Sequence, residues 1–193
     1  DTDIKGGIAI TYRDSSRRIG PIGTFTAINE LQSILSKIRT NTFLPLSDWV
    51  YAPESYRLTK VLHNEHPEAK KSLSKGHEND ITSNIFDKLP NIFLEYHPKD
   101  GKNYIQILGR HNNNRAYRYI RADYVTDHQN LNSFKVFVPK SNGTGAIGEI
   151  LSNPLIGQPL IGHTQTFISI GALNTEDEAR NLLKYIKTRF CRT

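Results

Sequence analysis

The sequence predicts an α+β fold with a mixed or antiparallel sheet, a helical insertion and a C-terminal amphipathic helix. Three observations lead there: short segments rich in β-branched and aromatic residues late in the chain, a proline-punctuated stretch before them, and a well-marked final helix. Strands and helices do not alternate in strict βαβ order, which argues against a doubly wound parallel sheet. With 193 residues, 37% of them hydrophobic, the chain can bury one good core and is too ordinary in composition to be disordered.

Residues 8–12, IAITY, follow Gly6 and Gly7 and are expected as a short strand. Between Phe25 and Ile38 the apolar positions Phe25, Ile28, Leu31, Ile34, Leu35 and Ile38 recur at three and four residues, the period of an amphipathic helix, with Thr24 as N-cap. Pro45, Pro53, Pro67, Pro90 and Pro98 then interrupt the chain, leaving short helical candidates at 54–65, 67–73 and 80–88. Beyond Pro90 five strands are expected: NIFLEYH (91–97), YIQILG (104–109), AYRYI (116–120), KVFVP (135–139) and TFISIG (166–171). Thr175 and Glu178 have the spacing of a capping box, in which each side chain satisfies a backbone N–H of the other residue. Behind it Ala179, Leu182, Leu183, Ile186 and Phe190 share one helical face, with acidic residues at the start and Arg189 and Arg192 at the end to complement the helix dipole.

No apolar run approaches the roughly 18–20 residues of a membrane span, and the first residues lack the regions of a signal peptide. A soluble, cytoplasmic protein without a membrane partner is expected. Cys191 is the only cysteine, so the chain holds no internal disulfide and no thiolate cluster. The sequence opens at Asp1 and contains no methionine, the pattern of a piece of a longer protein.

Charge is unevenly distributed. From Lys102 to Lys140, seven basic residues (Lys102, Arg110, Arg115, Arg118, Arg121, Lys135 and Lys140) face only Asp123 and Asp127, and so carry five of the formal net charge of +6. A local excess of this kind suits a polyanion, although a solvated basic face has the same composition. Within it, NYIQILGRHNNNRAYRYIRA (103–122) interleaves arginines with Tyr104, Tyr117, Tyr119 and a run of asparagines. Arginine forks onto phosphate or guanine, asparagine pairs with an adenine edge and tyrosine stacks, which is the chemistry of a nucleic-acid reader. In a strand over 116–120, Tyr117 and Tyr119 share one face and Arg118 takes the other, so the tyrosines also fit an ordinary core.

Other motifs carry less. Gly143-Thr144-Gly145-Ala146-Ile147-Gly148 matches GxGxxG, but Pro154 and Pro159 preclude the long helix a dinucleotide site needs, so a turn shaped by glycine is expected. Ser152-Asn153-Pro154-Leu155 lacks the second proline and the aromatic of the tetrapeptide with which amino-methyltransferases hold an extruded adenine. His63-Asn64-Glu65-His66 is not HExxH and reads as surface histidines. Asp80, Asp87 and Glu95 form no acid pair followed by acid-x-Lys, and His97 with His128 is a poor HNH pattern, so no catalytic metal centre is expected.

YAPESYRLTKVLH, NDITSNIFDKLPNIF, YIQILGRHNNNRAYRYIRADYV, FKVFVPKSNGTGAIGEIL, PLIGHTQTFISIG and TEDEARNLLKYIKTRF together resemble the C-terminal part of adenine-specific DNA methyltransferases of bacterial restriction-modification systems. The likeness runs from about Tyr51 to Arg192. It implies residues 1–20 as the end of an upstream catalytic domain and 21–193 as a target recognition domain. In such enzymes the catalytic domain binds S-adenosylmethionine and methylates a flipped adenine, while the recognition domain selects the sequence. The implied partners are double-stranded DNA and the catalytic domain of the same chain, with no cofactor held by this part and no catalysis by it alone. Arg110, Asn112, Asn113, Asn114 and Arg115 are the principal DNA-facing candidates, supported by Arg118, Arg121, Lys140, Ser141, Asn142, Gly143, His163, Thr164 and Gln165. Lys140 and the Ser141-Asn142-Gly143 turn suit phosphate, arginine and asparagine suit base edges. A nuclease or other DNA-modifying domain, and a module that docks an acidic subunit, remain the alternatives.

Overall fold

The computed structural model describes residues 44–141 and 153–188, together with 12–16 and the single positions 30, 31, 34, 37 and 191. The chain divides into two compact units, Asp1–Phe43 and Leu44–Thr193, and every element named below belongs to the second. Apart from Tyr12, the strand expected at 8–12 lies outside the described residues, as does the GxGxxG match at 143–148. Of the helix expected from Phe25 to Ile38, the described positions Glu30, Leu31, Ile34 and Lys37 are helical.

The fold is α+β. Among the described residues, β1 (Val50–Tyr51), β2 (Tyr104–His111), β3 (Asn114–Arg121), β4 (Phe134–Pro139), β5 (Leu155–Gly157), β6 (Ile161–His163) and β7 (Phe167–Leu173) form two sheets. One has the order β1-β7-β4-β5 and is antiparallel throughout. The other has the order β3-β2-β6, with β2 antiparallel to β3 and parallel to β6. Four of the five expected strands are present. The fifth, NIFLEYH, is not a strand: Ile92 and Phe93 are buried in the core and only Leu94 bridges to Tyr119. Three consecutive apolar residues there have no period-two alternation, so packing rather than a ladder claims them.

The insertion folds as helices of one to two turns, α1 (Lys60–Glu65), α2 (Ala69–Ser72) and α3 (Ile85–Lys88), with Pro67 soon after α1 and Pro90 soon after α3. Their apolar residues, Leu62, Ala69, Ile85 and Phe86, pack with Phe93 against Ile105, Ile107 and Ile120 of the β2–β3 hairpin. On the four-stranded sheet, Val136, Val138 and Ile170 meet Ile186, Leu182 and Leu183 of α4 (Glu176–Ile186). Leu108 of β2, Phe137 of β4 and Phe167 of β7 form a smaller cluster that ties one sheet to the other.

The capping box is formed. The Glu178 amide donates to Thr175 Oγ1 at 3.2 Å, and the Thr175 amide donates to Glu178 Oε2 at 3.1 Å. Thr175→Ala is expected to cost about 1 kcal/mol, since it removes the hydroxyl acceptor of an orphan donor at the N-terminus of α4. A lowered melting temperature for T175A, with α4 still helical by circular dichroism, checks this.

Candidate nucleic-acid interface

The β2–β3 hairpin closes in a two-residue turn, Asn112 and Asn113, at φ +48° and +62°. Both positions are left-handed, the pattern of a type I′ hairpin turn, and asparagine tolerates that region better than other side chains bearing a Cβ. The Asn114 amide group donates back to the Asn112 carbonyl at 3.0 Å. Strand β6 pairs only with Gln106, Ile107 and Leu108, so from Gly109 onward the hairpin continues as a two-stranded ribbon. At its end Arg110 and Arg115 are cross-strand partners on one face, and both are exposed.

A cleft of about 480 Å³ lies beside this ribbon, lined by Arg110, Asn113, Arg115, Lys140, Ser141 and Gln165. Six of the sequence-derived candidates therefore share one concavity. The fold brings them together through backbone contacts: the Lys140 amide donates to the Thr166 carbonyl at 2.9 Å, and the Gln165 amide donates to the Ile81 carbonyl at 2.9 Å. Gly109 allows the insertion to approach, because a Cβ there would sit 2.6 Å from the Phe86 ring and 2.8 Å from Thr164 Cγ2. The Arg110 guanidinium donates to Asn113 Oδ1 at 3.0 Å, and that of Arg115 lies 5.7 Å from the centre of the Phe167 ring. Lys140 Nζ is 3.9 Å from Glu54 Oε1, a half-exposed pair that leaves the ammonium accessible. Ser83, also on the lining, was not anticipated. It reaches the cleft only because Phe86 anchors the insertion on the hairpin, a long-range contact with no local signature.

Other candidates lie elsewhere. Arg118 pairs with Ile107 across the ladder, which puts it on the hairpin face opposite to Arg110 and Arg115, 5.8 Å from the centre of the Phe86 ring. That face, with Ala116 and Ile120, is the one that packs on the main core, so the tyrosines take the more open side and Tyr117 is 38% exposed. Arg121 lies at the far end of β3, bonded to Glu65, to Asp123 and to the Tyr124 hydroxyl. Its hydrogen bonds to the accepting carboxylates of Asp123 and Glu65 raise its pKa, and the Tyr124 hydroxyl, then Arg121, hold the Glu65 carboxyl below its usual value. Its charge is compensated within the protein.

His163 and Thr164, expected as supporting DNA contacts, are both fully buried. The His163 ring lies against Tyr56 and Phe137, and burial pushes its pKa down to about 4. The neutral ring is satisfied when Nδ1 donates to the Thr164 carbonyl (3.0 Å) and Nε2 accepts from Ser169 Oγ (3.2 Å). Ser169 Oγ in turn accepts from Asn130 Nδ2 at 2.8 Å, and Asn130 Oδ1 accepts from the Tyr56 hydroxyl at 2.6 Å. Lys135, counted in the sequence as surface charge, joins this interior: it is fully buried, and Nζ donates to the carbonyls of Asn130, Leu131 (3.1 Å) and Ile161 (3.0 Å). His63 is likewise buried, with Nε2 2.9 Å from Asn79 Oδ1 and Nδ1 without a partner. Asn142 and Gly143 lie outside the described residues.

No family model, curated protein or solved structure matches this chain. Among the described residues, no group of three His, Cys, Asp or Glu side chains is placed to hold a metal ion. No helix among them is long and apolar enough to cross a membrane.

Proposed function

We propose that this chain binds double-stranded DNA sequence-specifically, as the target recognition region of a restriction-modification adenine-N6 methyltransferase. The observation that carries the reading is the convergence of Arg110, Arg115 and Lys140, with the amides of Asn113 and Gln165, on one open cleft beside a two-stranded ribbon. A ribbon of this width enters a major groove, and guanidinium and amide groups at its end are the donors and acceptors that base edges and phosphates require. The link to methyltransferases rests on the sequence resemblance. In this reading S-adenosylmethionine binding and methyl transfer belong to the catalytic domain of the same longer chain.

The test is fluorescence anisotropy of the chain with labelled duplexes across 50–200 mM salt. Affinity that falls steeply with salt is expected. R110A should relax preference at one position at a cost of about 1–3 kcal/mol, whereas K140A should weaken all sequences alike and lower the salt slope by about one. A duplex affinity indifferent to salt would overturn DNA binding and leave the protein-docking alternative. Equal losses on cognate and random duplex for R110A would remove base reading from Arg110.

A further inference from the structure

On the other side of the Arg110–Asn113 pair from Arg115 and Lys140 the ribbon borders a second recess, of about 310 Å³, lined by Ser83, Asn84, Asp87, Arg110, Asn112 and Asn113. Its chemistry differs from that of the larger cleft. Here a guanidinium shares the space with a carboxylate. The Arg110 fork is steadied by Asn113 Oδ1 at 3.0 Å, and Asp87 Oδ1 is steadied by His111 Nδ1 at 2.9 Å. Both groups are exposed, yet each is oriented by one neighbour from the turn or the adjoining strand end. Arg110 and Asp87 do not bond to each other, so the recess they both line offers a donor fork and an acceptor.

A carboxylate at a surface that meets phosphates is repelled by them, and it weakens binding unless a hydrogen-bond donor of the nucleic acid repays the contact. Phosphates and sugar-ring oxygens supply no such donor. Base edges do. In the major groove a G·C pair presents O6 and N7 of guanine as acceptors and the N4 amino group of cytosine as a donor, and the matching side chains are arginine and an acidic residue. We propose that Arg110 and Asp87 read the two halves of a single G·C base pair, Arg110 forking onto guanine and Asp87 accepting from the cytosine amino group. The inference rests on the DNA-binding reading above and adds the identity of one base pair and a specificity-determining residue, Asp87, from the insertion. The insertion thus acts as part of the reading surface as well as core.

The experiment is selection from a pool of randomised duplexes by the intact chain and by R110A and D87A, followed by affinity measurements on the selected duplex and on its single-pair variants. R110A and D87A are each expected to lose preference at the same G·C pair, with discrimination there falling about 5- to 100-fold. If D87A binds every duplex more tightly while selecting the same sequence, the carboxylate is merely repulsive and the inference is overturned. It is overturned equally if D87A and R110A relax different positions. Failure of the unaltered chain to bind duplex in a salt-dependent way instead rejects the DNA reading itself, which separates the two outcomes. Should D87A melt below the unaltered chain, D87N removes the charge while keeping an oxygen for His111 and carries the same test.

Discussion

Raising the pH from 7 to 9 is expected to stabilise this protein by about 2 kcal/mol, and Lys135→Met is expected to abolish the gain. Lys135 is fully enclosed, and burial pushes its ammonium down to about 7 from the usual 10.5. Its hydrogen bonds run to three backbone carbonyls, with no carboxylate partner to offset the lost hydration. The groups packed nearest are the Phe137 ring, and, within the same hydrogen-bonded interior, Tyr56, His128 and His163. Between pH 7 and about 10 the unfolded lysine holds a proton that the folded one has released, so unfolding takes up a proton and stability rises with pH. His163 acts with the same sign at lower pH: its folded value of about 4 lies below the usual 6.5, so stability falls as pH drops through that interval. Tyr56 opposes above pH 10, because burial raises its pKa and the unfolded hydroxyl ionises first. Urea midpoints of the unaltered chain and K135M at pH 7, 8 and 9 decide the matter. Parallel curves for the two proteins would show that Lys135 does not titrate in this window.

Lys135 also marks where sequence and structure part. In KVFVP the apolar residues are plain, and the strand follows from them, yet the lysine, first in the run, reads as its solvated end. Alternation places a side chain on a face without saying whether that face is covered. Strand β4 lies between β5 and β7, with α4 over Val136 and Val138 and the β6 corner over Lys135 and Phe137, so both faces are buried. The burial of His163 and Thr164 is hidden for the same reason: β6, three residues long, is too short to show which of its faces is covered. Strands β1 and β5 leave no signal in the sequence, because two or three residues cannot display a period. Local signals are clear elsewhere. Thr175 and Glu178, three residues apart, announce a helix start, and HNNNR announces a tight turn between two arginines. Asp87 and Ser83 could not be found this way, because their place beside Arg110 depends on Phe86 settling over Gly109 from more than twenty residues upstream.

The same relocations alter the expected electrostatics of DNA binding. Seven basic residues between Lys102 and Lys140 would suggest a steep salt dependence, but Lys135 is interior, Arg121 is compensated by Glu65 and Asp123, and Arg118 lies on the opposite face of the hairpin. Arg110, Arg115 and Lys140 remain around the cleft. With Arg110 on a base edge and Arg115 and Lys140 each neutralising one phosphate, the last two account for about 1.8 units of the slope of log affinity against log salt, or about a 12-fold loss of affinity between 50 and 200 mM. The combined variant R115A/K140A is expected to lower the measured slope by that amount and to bind every duplex more weakly. R121A supplies the contrast: it removes a cation of equal formal charge from the same ladder, and is expected to leave the slope unchanged while costing some stability through the loss of its bonds to Glu65 and Tyr124. A slope that falls as much for R121A as for R115A or K140A would mean that the far end of β3 also meets the polyanion, and that the cleft is only one part of the binding surface.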